Sequence, residues 1–504
     1  MSLGLINIIS NNYGGRKSKT DMAFELAIFV KNFIEFVFKY YNINQTIYNE
    51  GRPPHNLINV ISLLVYGNIN GISSTIIISE NAEYHDLYKL VSNRLFIADR
   101  TLRKYRSDYK ELFNKILSLT LVLAYYLCFT TFDHIALDGT FLKAFNSPFN
   151  ILKMEDIDIL IKHFTIEKLS EEEILDLRLS AQNFLNSKNL KDDEKVEVLK
   201  TLKIILKESK QSSIGINDSL ARWMYNKQHR PQLSYNVQHG VDVDSIMICG
   251  VNVSLSPTDH YEIPALMDVV LNNIPVEKPD MISADTIYRT IINLTYLKEK
   301  GITPLIPTRK QGKESINHLN KDPYSSDYFY YDVFKDVVIC PNGHTLKKFG
   351  PYECKPDKFG YSREQYSFSN YKACQSCKDK EQCCKNSTHR TITRYGHDLL
   401  DECEQIMEIT ENKLEYRKRS LVELPNGPYK IYYHINELPL VGQENIQAMM
   451  ELIASSYNIK RLFNTIKEKE INLDDVYKVM KILTEPTSNF LCNMGMLQNE
   501  QYST

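Results

Sequence analysis

Between residues 130 and 320 short apolar runs alternate with amphipathic ones, and two of the apolar runs finish on an aspartate. This pattern restricts the fold more than any other feature. Short apolar runs bounded by polar turns make buried strands, and strands alternating with helical patterns make a sheet covered by helices. His134-Ile135-Ala136-Leu137-Asp138 predicts a buried strand ending in an acid. Tyr235-Asn236-Val237-Gln238 and Ser245–Val253 predict a hairpin, with Val241 and Ile246-Met247-Ile248 flanking its turn. Thr258–Leu271 predicts a helix with Asp259 in its first turn and Leu266, Val269 and Val270 on its apolar side. Met281-Ile282-Ser283-Ala284-Asp285 predicts a second strand ending in an acid. Ile291–Lys300 predicts a helix closed by Gly301, and Ile302–Ile306 a further strand.

The order strand, hairpin, helix, strand, helix, strand is compatible with an α/β fold whose catalytic core is an RNase H-like mixed sheet. The remaining segments divide around that core. Residues 1–120 predict an N-terminal helical, DNA-binding domain; 130–150 and 218–320 supply the first part of the core; 399–470 supply its C-terminal part; 471–504 form a tail. Two insertions interrupt the core. Residues 151–217 are charged and helical in pattern, with Glu171-Glu172-Glu173 and Lys191-Asp192-Asp193-Glu194-Lys195 on a solvated face. Residues 322–397 are rich in cysteine.

A DNA-binding role must be reconciled with charge. The chain has 60 Lys and Arg against 62 Asp and Glu, a formal net charge of −2. Phosphate contacts drive nucleic-acid affinity by releasing counterions, so the basic residues must be concentrated locally. The best such cluster precedes the core: Arg100, Arg103, Lys104 and Lys110 share one helical face with Leu102 and Tyr105 among them, as a helix-turn-helix unit presents to phosphates. A plain solvated basic face is the alternative. The start of the chain lacks the basic and apolar regions of a secretory signal, and Ile116–Phe132, the most apolar stretch, carries Ser118, Thr120, Thr130 and Thr131. It predicts a buried helix leading into a core strand, and the expected location is the cytoplasm, on the nucleoid.

Strand cleavage and joining of nucleic acid proceed on two divalent ions about 3.5–4 Å apart. Hard cations such as Mg²⁺ prefer carboxylate oxygens, so this chemistry calls for three acids held by a rigid core on one point. Asp138 and Asp285, each at the end of an apolar strand, are two candidates. The third lies in Tyr416-Arg417-Lys418-Arg419-Ser420-Leu421-Val422-Glu423, with Lys430 beyond it. Tyr416, Arg419 and Glu423 are spaced i, i+3, i+7, which places them on one face of a helix. The carboxylate then shares that face with a guanidinium able to hold a phosphate bidentately. A routine surface pair of Arg and Glu is the bland alternative.

At this point the chain resembles the DDE-type transposases of bacterial and archaeal insertion sequences, in the branch with the Tyr-Arg-Glu-Lys signature. The resemblance runs through Gly51-Arg52-Pro53-Pro54, Leu64-Val65-Tyr66-Gly67, Asn70-Gly71-Ile72, Leu137-Asp138-Gly139-Thr140, Ser234-Tyr235-Asn236-Val237-Gln238, Val241-Asp242, Ser283-Ala284-Asp285 with Tyr288, Val422-Glu423, Gly427 and Asn458-Ile459-Lys460-Arg461-Leu462. It implies that Asp138, Asp285 and Glu423 bind two Mg²⁺ or Mn²⁺ ions, and that Tyr416, Arg419 and Lys430 contact DNA near the element end. It also makes Lys460-Arg461 a local DNA contact. The implied partners are terminal inverted repeats and target DNA, held by a homodimer on paired ends. Thr286-Ile287 and Asn426 depart from the family pattern. The implied activity is metal-dependent cleavage followed by strand transfer. A nuclease without joining activity and a decayed copy that only binds DNA are the competing readings.

Six of the ten cysteines fall between Cys340 and Cys384. Clustered thiols in a reducing compartment point to metal or free thiols rather than disulfides. Cys374-Gln375-Ser376-Cys377 is one good pair for a tetrahedral zinc site. The second pair is open among Cys340, His344, Cys354, Cys383 and Cys384; Cys340, Cys374, Cys377 and Cys383 are the chosen set, with reduced thiols as the alternative.

Overall fold

The structure is a computed structural model that describes residues 19–44, 55–147, 149–225, 229–308, 311, 322–332, 335–353, 364–384, 387–396, 398–425 and 438–485. Lys430, Cys354, Cys492, Asn426, Gly427, the turn at 51–54 and the tail beyond 485 lie outside them.

Among the described residues the N-terminal part is built of helices: α1 (Lys19–Tyr40), α2 (Leu57–Ile69), α3 (Thr75–Tyr84), α4 (Asp86–Val91), α5 (Asp99–Asp108) and α6 (Glu111–Tyr126). Strand β1 (His134–Lys143) follows, so the apolar stretch at 116–132 is a largely buried helix as far as Tyr126 and then a short connection into a core strand. After β1 come the ribbon strand β2 (Ile151–Leu152), the helices α7 (Met154–Thr165), α8 (Glu171–Asp176), α9 (Leu179–Asn186) and α10 (Asp192–Ser209), and β3 (Ile214–Gly215), which pairs back on β2. This excursion has a hydrophobic core of its own, built on Leu160, Phe184, Leu199 and Leu202. The Ile216 amide donates to the Asn150 carbonyl (2.9 Å), so the chain leaves and re-enters at one point.

The main sheet continues through β4 (Arg222–Tyr225), β5 (Pro231–Asp242), β6 (Ile248–Ser254), β7 (Met281–Ser283) and β8 (Thr303–Leu305), with α11 (Ile263–Asn273) and α12 (Ile291–Lys300) between the later strands. The order is β4-β5-β1-β7-β8, with β6 also on β5. β1 runs antiparallel to β5, and β5 to β6, whereas β1, β7 and β8 are parallel. This mixed sheet is compatible with an RNase H-like core. Gly301 closes α12 at φ +64°, a left-handed position that glycine takes without penalty.

Three boundaries differ from expectation. β1 does not stop at Asp138 but continues to Lys143, because it stays paired with β5 as far as Ser234. α11 starts at Ile263, where Pro264 fits the first turn, so Asp259 lies in the preceding turn rather than in the helix. β7 ends at Ser283, two residues before Asp285.

Beyond the core lies a five-stranded antiparallel sheet: β9 (Tyr330–Asp332), β10 (Val337–Ile339), β11 (Thr345–Glu353), β12 (Glu364–Ser369) and β13 (Thr391–Gly396). Two short helices, α13 (Tyr371–Gln375) and α14 (Lys380–Cys383), cross it between β12 and β13. Its core is small, with Phe329, Val338, Leu346 and Phe368 buried. The chain then returns to helix in α15 (Asp398–Glu408), α16 (Thr410–Arg417), α17 (Gln443–Glu468) and α18 (Leu473–Leu483).

α17 closes the main sheet. The outer edge of β6 meets amide side chains from this helix instead of another strand. Gln443 Nε2 donates to the Val253 carbonyl (2.7 Å), and Gln447 accepts from the Val253 amide (2.7 Å) and donates to the Val251 carbonyl (2.8 Å). Asn458 accepts from the Ile248 amide and donates to the Ile248 carbonyl, each at 2.9 Å. An edge strand left with unpaired backbone groups would be costly and prone to pair with another chain, and these amides satisfy it. Leu452, Ile459 and Phe463 of α17 join the core formed by α1, α2, α6 and α11, while Met450 and Ile453 join the core on the other side of the sheet. The N-terminal helices therefore share one continuous core with the sheet.

Candidate active site

β1 alternates between two faces. Ile135 and Leu137 enter the core covered by α11 and α12, and Ala136 and Leu142 enter the opposite core, which also holds Val422. Asp138 follows Ala136 by two and so belongs to the second face. Ala136 pairs with Ser283 on the parallel neighbour β7, and Asp285 lies two residues past Ser283 in extended backbone (φ −71°, ψ 161°). By that register Asp138 and Asp285 point to the same face, Asp138 from within β1 and Asp285 from the extended residues just past the end of β7. Asp285 is exposed, and its Oδ1 accepts from the Thr286 amide (2.6 Å), which caps the short 3₁₀ turn Thr286–Tyr288.

α16 and a second 3₁₀ turn, Lys418–Val422, bring the remaining groups to the same face, the turn packing against β1 and β5. The expected single helix through Glu423 is therefore not continuous: it tightens after Arg417, and Tyr416, Arg419 and Glu423 are not held at α-helical spacing. They still converge. Arg419 Nη1 lies 3.9 Å from Asp138 Oδ1. Tyr416 is buried beside Arg419 and within electrostatic reach of Asp285. The Arg419 guanidinium is held more basic than usual, because Tyr416, Asp285 and Asp138 outweigh the opposing effect of burial. Glu423 is exposed and close enough to act on Asp138.

The Asp138 carboxyl is pushed up to about 6, chiefly by burial. Arg419 and the Gly139 amide oppose this, while Asp259 and Glu423 add to it. A half-buried carboxylate crowded by two others favours a bound cation or proton. Among the described residues, no three acids, histidines or cysteines stand close enough together to hold a metal ion as they are.

Sequence reasoning passed over two sets of groups here. Behind Asp138, on the opposite face, Asp259 Oδ1 accepts from Asn236 Nδ2 (2.8 Å) and Gln238 Nε2 (2.6 Å), and Gln238 Oε1 accepts from Tyr288 Oη (2.5 Å). A Cβ on Gly139 would overlap Gln238 Nε2 and stand 2.7 Å from Asp259 Oδ1, so this clamp closes only over glycine. Its signal was two amides, Asn236 and Gln238, two residues apart in one strand and so on one face of it. The second set, His134, Ser283 and Glu415, carries no motif.

The basic cluster is partly as expected. Arg100, Arg103 and Lys104 are exposed on α5, while Leu102 is buried beneath them. Arg103 pairs with Asp99 at 2.5 Å. Lys110 does not share their helix: it precedes α6 and lies 3.8 Å from Glu444. Lys460 and Arg461 are turned inward, donating to the carbonyls of Ile69 (3.2 Å) and Ser245 (3.0 Å).

In the second sheet, Cys340, Cys374, Cys377, Cys383 and Cys384 line one pocket with His344 and Arg390. Burial raises the Cys374 and Cys383 thiols, the latter to about 11, so both are neutral thiols as they stand. Asn342 Nδ2 donates to Cys377 Sγ (3.2 Å).

No helix among the described residues is long and apolar enough to cross a membrane. Residues 339–463, about a quarter of the chain, match the family model described as "Transposase DDE domain". The matched stretch contains Tyr416, Arg419 and Glu423 and most of the cysteine-bearing sheet, while Asp138 and Asp285 precede it. None of the curated proteins compared with the chain matches it.

Proposed function

We propose that this DDE-type transposase cuts DNA at the ends of an insertion sequence and joins the freed ends to target DNA, with Asp138, Asp285 and Glu423 as its catalytic acids. That the chain is a DDE-type transposase rests on the domain match, and the family implies DNA as partner and divalent ions as cofactor. The observation that supports the finer reading is that Arg419 interacts with both Asp138 and Asp285, while Glu423 acts on Asp138 from the segment over the same face.

The donor set fits a hard cation: three carboxylates, one of them raised by burial and by neighbouring negative charge. When bound, two Mg²⁺ or Mn²⁺ ions supply activation of the attacking oxygen and stabilisation of the leaving one. In the first step water attacks the phosphodiester at the element end. A P–O bond forms, the bond to the 3′ oxygen breaks, the proton of the water passes to solvent, and the departing 3′ oxygen takes up a proton from solvent to become a hydroxyl. In the second step the freed 3′-hydroxyl attacks a target phosphodiester, forming one P–O bond and releasing one target 3′-hydroxyl. Arg419, which interacts with both Asp138 and Asp285, is proposed to hold the phosphate, with Tyr416 beside it; Lys430 is proposed for the same DNA contact. Arg100, Arg103 and Lys104 on α5 are proposed to hold the terminal repeat, and a homodimer to pair the two ends.

A structural zinc on Cys340, Cys374, Cys377 and Cys383 is a separate proposal. It is supported by the convergence of these thiols on one pocket in a sheet with only a small buried core. Metal analysis of the purified protein, wild type beside Cys374→Ser, tests it; a metal-free wild type sinks it.

The central test uses labelled DNA carrying the inverted repeats that flank the gene, with Mg²⁺, wild type beside Asp285→Ala. End-specific cleavage and joining, lost in the variant, support the reading. Cleavage without joining favours a nuclease, and repeat binding with no cleavage leaves a DNA-binding remnant.

A further inference from the structure

Three separate elements carry the three acids: β1 holds Asp138, β7 leads into Asp285, and α16 with its following turn leads to Glu423. One side chain touches all three. His134, at the start of β1 and 4% exposed, places Nε2 2.9 Å from Ser283 Oγ at the end of β7 and Nδ1 3.4 Å from Glu415 Oε2 on α16. Ser283 is two residues before Asp285, and Glu415 is next to Tyr416 and four before Arg419. Glu415 also pairs with Lys418 at 2.9 Å, which joins α16 to the turn that follows it.

The chemistry of the three groups settles the direction of these bonds. The Lys418 contact, and then His134, hold the Glu415 carboxyl below its ordinary range, so it is ionised and only accepts. Burial lowers His134 despite Glu415, so the ring is neutral and carries one proton. That proton is on Nδ1 and donates to Glu415, which leaves Nε2 to accept from the Ser283 hydroxyl. Ser–His–Glu is an order also used for nucleophilic catalysis. Here Ser283 is fully buried, and the chain of bonds joins structural elements instead.

We infer that His134, with Ser283 and Glu415, is a positioning residue that locks the third-acid segment onto the two aspartate strands and so sets the metal affinity of the acid site. This rests on the assignment of Asp138, Asp285 and Glu423 above. Partners that orient metal ligands commonly change affinity by about 10–100-fold when removed. A helix docked through a buried histidine is the kind of support that a carboxylate reaching from another element needs.

The test is calorimetric titration of the full-length protein with Mn²⁺, alongside thermal midpoints. The variants are Glu415→Ala, Glu415→Gln, Ser283→Ala and, as a reference, Asp285→Ala. Glu415 is about a third exposed, so its variants will fold. Expected are Mn²⁺ affinities about 10-fold weaker in Glu415→Ala and in Ser283→Ala at nearly unchanged midpoints. Glu415→Gln, which keeps an acceptor for Nδ1, should remain within about 2-fold of wild type, a rescue that a merely structural role does not produce. Wild-type affinity in Glu415→Ala and Ser283→Ala overturns the inference, and so does a wild type that shows no Mn²⁺ binding sensitive to Asp285→Ala. A wild type that binds Mn²⁺ through Asp285 but cleaves no DNA fails the transposition reading alone, and the variants still decide the positioning role.

Discussion

Replacing Asp138 by Asn should make the metal-free protein more stable while abolishing cleavage. The Asp138 carboxyl sits near 6 in the folded protein against 3.8 for a free aspartate, with burial as the main cause. The folded state therefore holds its proton more tightly than the unfolded state does. The stability this proton contributes is fully present below about pH 4, is lost as pH rises to about 6, and stays lost above that. A difference of about two pKa units at about 1.4 kcal/mol each bounds the cost of the ionised carboxylate at about 3 kcal/mol. The side chain is 26% exposed and Arg419 stays nearby, so about 1–3 kcal/mol is the expected gain from Asn at neutral pH. With about 2 cal/mol/K of unfolding entropy per residue, that gain raises the melting midpoint by a few degrees at most. The assay is scanning calorimetry of both proteins in chelator, at about pH 4.5 and 7.5, with the difference shrinking towards acid. Saturating Mg²⁺ should reverse the order, since it stabilises only the protein that binds it, by about 4.1 kcal/mol at a thousandfold excess over Kd. A midpoint lowered by Asn at neutral pH, or a difference unchanged between the two pH values, refutes the reasoning.

Further consequences can be checked in the same way. Gly139→Ala should cost about 1–3 kcal/mol, because the new methyl meets Gln238 and Asp259; urea denaturation reads it, and cleavage should slow with it. Asn458→Ala leaves the Ile248 amide and carbonyl without their partner (2.9 Å each) and removes one of the two bonds of the Thr120 hydroxyl (3.0 Å), a loss of about 2–4 kcal/mol by the same measurement. Alanine at Arg100, Arg103 and Lys104 together should weaken repeat binding and lower the slope of log K against log salt by about 2–3, nearer 2 because Arg103 is already paired with Asp99; fluorescence anisotropy across a salt series measures it. An unchanged slope removes α5 from the DNA interface.

Much of the architecture was legible in the chain. The apolar runs at 134–138, 245–253 and 281–285 announced strands, because a short apolar run bounded by polar turn residues is the pattern of a buried strand. Gly301 announced the end of α12 because a left-handed residue there needs no side chain. Asp138 and Asp285 were chosen from strand-end position; one of those strands in fact runs on past its aspartate, since pairing with β5 persists, and what makes the pair is register. Glu423 was found by spacing alone, and the spacing assumed a helix that tightens into a 3₁₀ turn after Arg417. The basic residues show the same limit. Lys460 and Arg461 resemble a DNA contact in sequence, yet each donates to a backbone carbonyl of a distant segment.

The chain by itself determined which segments of the core are strands, which are helices and which residue types are available for chemistry, since these follow from local sterics and side-chain periodicity; the strands of the cysteine-bearing sheet carried no such signal. Tertiary structure alone decided that Ala136 faces Ser283, that a helix at 443–468 satisfies the open edge of β6, that Gly139 makes room for Asp259, and that His134 bridges three elements. Each of these joins residues far apart in sequence, and a contact across such a distance is chosen by the packing of the whole core, which no local pattern encodes.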